Sequence, residues 1–153
     1  MSHKALAKLE DMGLLKGVVT TNVDYLQELA GSKHVADVWG SLNENYCLDC
    51  GRTYDINILK SPLPHCPVCG GLISPGTVYH HIGLDDQALD QAYRWTDKAD
   101  LIIVIGSNGY YNHVGHAKVV NINSAHNSFD AQADFVIRQD ADRATQQLLQ
   151  LLK

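Results

Sequence analysis

Leu101-Ile102-Ile103-Val104-Ile105-Gly106 is the stretch on which the fold turns. Five consecutive apolar residues ending at glycine predict a strand buried on both faces. The run is far too short to cross a bilayer. Upstream of it, apolar residues recur at Ala88, Leu89, Ala92 and Tyr93, which predicts a helix over 86–95. Downstream, residues 119–123 and 134–137 read as short strands, and 141–152 as an amphipathic closing helix. Towards the N-terminus, residues 3–12 place Ala5, Leu6, Leu9 and Met12 on one helical face, with Gly13 as the stop. Residues 17–22 then read as a strand and 24–30 as a helix ending at Gly31. Helices alternating with buried strands predict an α/β fold built on a parallel sheet.

In open α/β sheets ligands bind outside the carboxyl ends of the strands. Thr20, Thr21 and Asn22 end the first strand here, Gly106, Ser107 and Asn108 the second, and Asn121 and Asn123 the third. These residues could hydrogen-bond hydroxyls or a carboxamide, although the same types are ordinary turn formers.

All four cysteines fall in one segment, as Cys47-Leu48-Asp49-Cys50 and Cys66-Pro67-Val68-Cys69. A C-x2-C pair offers two thiolates from one tight turn, and two such pairs at this separation close a tetrahedral zinc site. Gly51 and Gly70-Gly71 follow the two turns, where left-handed backbone is usual. Four thiolates leave no open coordination position, so the expected Zn(II) is structural. This module is assigned to residues 46–74, inserted into an α/β domain of residues 1–45 and 75–153. Two disulfides are the competing use of the cysteines; the spacing and a reducing cytosol oppose them.

The chain has 153 residues, 45% hydrophobic and 19% charged, enough for a real core in one domain. Lys+Arg 12 against Asp+Glu 17 gives a net charge of -5, and no basic stripe interrupts it. A zinc-ribbon nucleic-acid binder is therefore not expected. There is no internal repeat, and residues 1–4 lack the apolar region of a signal peptide. The expectation is a soluble, cytoplasmic protein without membrane contact.

Read together, these segments resemble the sirtuin family of NAD-dependent protein deacylases. Val18-Val19-Thr20-Thr21-Asn22-Val23-Asp24 with Ala30-Gly31 is similar to the family's VVTQNxDxLHxxAG stretch. Val38-Trp39-Gly40-Ser41 resembles E-L-H-G-S, and Cys66-Pro67-Val68-Cys69-Gly70-Gly71 the second cysteine turn. Residues 99–107 resemble ADLxLVIGTS; Val120-Asn121-Ile122-Asn123, residues 133–137 and Asp140-Ala141 follow the closing segments in order. The resemblance implies a Rossmann-like sheet and a site for NAD or ADP-ribose. It assigns to that site Thr20, Asn22, Asp24, Gly106, Ser107, Asn121, Asn123, Asp140 and Ala141.

The departures bear on activity. The family's general-base histidine is Trp39 here, and an indole has no titratable lone pair. The family's glutamine is Thr21, and its V-x-F-G-E strand is Val78-Tyr79-His80-His81-Ile82. The glycine-rich G-A-G-x-S loop that cradles pyrophosphate does not occur. The sheet is thus expected to be partial, and the chain an N-terminally truncated, degenerate relative with no catalytic residue. Three readings follow: a nucleotide-binding protein without ordinary deacylation, an interaction scaffold, and altered NAD chemistry such as ADP-ribosyl transfer or NAD hydrolysis. A second copy or a partner chain is expected to cover the surface that a missing N-terminal half would leave. His80, His81, His113 and His116 are the histidines placed to approach the cleft, and Tyr110-Tyr111 could cover a nucleotide or simply pack.

Overall fold

The computed structural model describes residues 1–77 and 86–152. Val78-Tyr79-His80-His81-Ile82 lie outside the described residues. The elements in chain order are α1 (Ser2–Asp11), β1 (Val18–Thr20), α2 (Leu26–Leu29), β2 (Val35–Asp37), β3 (Gly40–Cys47) and β4 (Thr53–Tyr54). A 3-10 turn (Ile56–Lys60), β5 (Ile73–Thr77), α3 (Asp86–Thr96), β6 (Leu101–Ile105) and β7 (Lys118–Ile122) follow. A second 3-10 turn (Ser128–Ala131), β8 (Phe135–Ile137) and α4 (Ala141–Leu151) complete the chain.

The α/β expectation holds, and the parallel strands fall into two units. β1 pairs with β2, Val18 opposite Val35, and β6-β7-β8 form a second parallel sheet with Ile103 opposite Val120 and Val120 opposite Phe135. Between the units runs an antiparallel sheet, β4-β3-β5, whose register shifts between Ser41 and Asn45. This sheet carries Cys47 and extends from Gly40 to Thr77.

The expected two-sided burial of residues 101–105 is corrected: Val104 is buried, Leu101 is exposed, and the other three are half-buried. β6 pairs only with β7, so one edge of the strand has no neighbour among the described residues. All three residues of β8 are exposed, Phe135 by 67%. The expected face of the first helix is also corrected. Ala5, Ala7 and Leu9 are buried, whereas Met12 lies past the last turn in solvent. α1 packs on α4 and α2.

The predicted helix over 24–30 shrinks to one turn. Tyr25 takes a left-handed φ of 62°, which helical backbone excludes, and Asp24 Oδ1 accepts from the Leu26 N–H at 3.1 Å to start the turn beyond it. β2 has no counterpart in the sequence reading, because three residues between a loop and Trp39 give no usable period. The main core joins β2 to α3, with Ala36, Val38 and Ala92 buried and Val19, Trp39, Leu89, Trp95 and Tyr111 packed around them.

Candidate functional site

The four thiols are gathered by backbone turns of one design. Gly51 N–H donates to Cys47 O, and Gly70 N–H donates to Cys66 O, each at 2.9 Å. Gly51 (φ 68°) and Gly70 (φ 78°) both use the left-handed backbone expected of them. Cys66 N–H donates to Gly71 O and Leu48 N–H to Leu72 O, closing the second turn against the first. The His65 ring bonds Gly70 O at 2.8 Å, so this histidine braces the turn.

The sulfurs lie within 4.8 Å of one another, with Cys47–Cys69 at 3.4 Å and Cys50–Cys66 at 3.8 Å. Four Zn–S bonds of ~2.3 Å in a tetrahedron would set the sulfurs ~3.8 Å apart. All four cysteines are free, without a disulfide. The cluster therefore fits one zinc ion. Tyr54 Oη stands 2.9 Å from Cys66 Sγ, and this hydrogen bond, with backbone N–H groups of Cys69 and Val68, holds the Cys66 thiol below its ordinary range. The same bond pushes the Tyr54 phenol up to about 12.

The carboxyl ends of the parallel strands hold the remaining candidates. Thr20 Oγ1 accepts from the Asn22 N–H at 3.0 Å, leaving the Asn22 carboxamide exposed beside Asp24. Gly106 turns out of β6 with φ 63°, and an added Cβ there meets nothing within 4 Å. Behind it, Ser107 O accepts from Asn123 Nδ2 (3.2 Å) and from Asn127 Nδ2 (2.8 Å). Asn121 is different: it is fully buried, and its Nδ2 donates to Asn127 Oδ1 and Asp130 Oδ1, both at 2.8 Å. Its carboxamide serves the loop from inside. Arg138 and His126 bond Asp130, and the guanidinium holds that carboxyl down at about 2. Asp140 caps α4, accepting from the N–H groups of Asp142 and Arg143 at 2.9 and 3.2 Å, and Ala141 begins that helix.

Trp39 and Tyr110 join the two parallel units. Their ring centroids are 5.0 Å apart at a 57° tilt, so the residue just before β3 rests against the loop after β6. Just before Trp39, burial pushes the Asp37 carboxyl up to about 7, helped by a hydrogen bond with Glu28 and the charges of Glu28, Glu44 and Asp24. Of the candidate histidines described, His113 bonds Asp97 at 2.7 Å and lies edge-on to Tyr93, and His116 is exposed; elsewhere, His34 bonds Glu10. Tyr111 packs beside Tyr93 and α3. Sequence reasoning missed Tyr54, Asp37 and the Asn127–Asp130 pair. The spacing of Asn127 and Asp130 is that of a capping box, which was a readable signal. Tyr54 had none, since only the fold brings β4 to Cys66.

Among the described residues no helix is long and apolar enough to cross a membrane. An α/β fold carrying a four-cysteine cluster is the class of protein that these elements define. A match to the Sir2 family spans residues 1–113. The NAD-dependent protein deacetylase of Clostridium acetobutylicum is 38% identical over 146 residues, covering 89% of this chain and 60% of that protein. The NAD-dependent protein deacylase of Thermococcus kodakarensis is 32% identical over 170 residues, covering 99% and 66%. A solved Sir2 structure with a p53 peptide and NAD+ superposes with a TM-score of 0.84 at 30% identity, covering 97% of this chain and 68% of that one. The chain belongs to the Sir2 family, and it spans about 60% of the length of the first of these relatives.

Proposed function

We propose that this chain is a zinc-stabilised Sir2 protein that holds an NAD- or ADP-ribose-type nucleotide and does not carry out ordinary deacylation by itself. The observation that carries the reading is Trp39. It stands where the family resemblance puts the histidine base, and its ring leans on Tyr110 at 5.0 Å. An indole cannot take the proton from a ribose hydroxyl, and a missing base costs roughly 10²–10⁴ in rate. Zn(II) would be held by Cys47, Cys50, Cys66 and Cys69, where it supplies a fixed cross-link with no open position. Asn22 and Asp24 would face the nicotinamide ribose. Gly106, Ser107 and Asn123 would face the adenosine half, with Gly106 letting backbone approach the ligand closely.

Calorimetric titration of zinc-replete protein with NAD and with ADP-ribose, beside a deacylation assay on an acetyl-lysine peptide, tests this. Micromolar binding without turnover is expected. Turnover at a rate typical of the family would overturn it.

A second reading is supported by the open strands. Phe135, Val136 and Ile137 are all exposed, and among the described residues β1 and β6 each pair on one side only. We propose that a second polypeptide, another copy or a partner chain, covers this surface, since apolar edges of this kind are poorly tolerated alone. Light scattering is expected to give more than one chain per particle; a stable monomer at high concentration would refute it.

A further inference from the structure

We infer that Tyr54 is a tuning residue of the proposed zinc centre: its hydroxyl donates a hydrogen bond to the metal-bound Cys66 thiolate and holds the ion in place. The inference rests on zinc occupying the four cysteines. In a zinc-bound centre Cys66 carries no proton, so across the 2.9 Å contact only the phenol can donate. A donor to a ligating sulfur spreads its charge and makes it less prone to protonation or attack.

The fold fixes this donor firmly. Tyr54 pairs with Asn45 across β3 and β4, and the Asn45 side chain is 1% exposed. Asn45 Nδ2 donates to Leu42 O (2.8 Å), Asp55 O (3.2 Å) and Tyr54 O (3.4 Å), pinning the backbone that follows the ring's attachment. The ring itself packs with Ile58 and Leu59 against Cys47, Cys66 and Ile73. A buried asparagine thus sets the strand, the strand sets the ring, and the ring directs one hydrogen bond to one sulfur. Among the described residues no side-chain hydroxyl bonds Cys50 or Cys69, both of which are exposed.

The test uses the full chain loaded with zinc or cobalt(II), as wild type, Tyr54→Phe and Tyr54→Leu. Phenylalanine keeps the packing and removes only the hydroxyl; leucine removes both. Zinc transfer to a chromogenic chelator and the thiolate-to-cobalt absorption band are read. Tyr54→Phe is expected to hold zinc about ten-fold less tightly and to shift the cobalt band to lower energy. If Tyr54→Phe matches wild type in both readouts while Tyr54→Leu weakens binding, the residue only packs and the inference fails. If all three proteins match, it fails as well. Because metal affinity is titrated directly, nucleotide binding or its absence does not enter the result. Separately, a wild-type chain that takes up no zinc would remove the centre on which the inference rests.

Discussion

The carboxyl of Asp37 is near its midpoint at neutral pH, held there by burial and by its carboxylate neighbours. Its folded value of about 7 lies above the ordinary 3.8, so between those limits the native state keeps a proton that the unfolded chain has released. Stability from this group is therefore full below about pH 4 and falls as pH rises towards 7. Asp37→Asn is expected to raise the melting temperature at pH 7.5 and to change it little at pH 4.5, as thermal unfolding across that range would record. Asn121 poses the opposite case. Replacing it with alanine strips partners from Asn127 and Asp130 beneath Ser107, and should cost about 1–3 kcal/mol in urea unfolding. The sequence reading located Asn121 and Asn123 together at one strand end. It could not tell them apart, because residues two apart share one face of a strand, and only the fold shows that β7 ends at Ile122 and leaves Asn123 beyond it.

At the scale of elements, two glycines decide how β3 meets β5. Gly40 has φ 74°, and a Cβ on it would come within 2.1 Å of Gly76 O. A Cβ on Gly76 would come within 1.7 Å of Glu44 O. Gly76→Ala must therefore part the strands next to the Ser41–Asn45 register shift, and loss of soluble folded protein on expression is the expected outcome. The cap of α4 is a milder case: Asp140→Ala should lower stability by about 1 kcal/mol in denaturant titration. Helices were legible where an apolar period ran over two or more turns, as in α3 and α4. α2 was overdrawn because Tyr25 in a left-handed conformation leaves no trace in a hydrophobic pattern.

For the whole molecule, the cysteine spacing and the apolar run at 101–105 were enough to read an α/β fold with a metal module. The division of the parallel strands into β1-β2 and β6-β7-β8 was not readable, since which strands pair is a matter of distant contacts. An open strand edge was expected of a partial sheet; that it falls on β6, among the described residues, was not readable. Removing metal with a chelator is expected to lower the melting temperature, because the module around Cys47, Cys66 and Ile73 has a small core of its own. The α/β helices should keep their far-ultraviolet signal in the same experiment until that lower transition is passed.

β3 has one more consequence. Its eight residues leave the Trp39–Tyr110 ring pair at one end and finish in a thiol of the four-cysteine cluster at the other, a span of about 25 Å at the rise of a strand. Loading the cysteines tightens the far end of a rod whose near end abuts an indole. The emission of that indole is then a built-in gauge, and zinc uptake should be visible as a change in tryptophan fluorescence without any added dye.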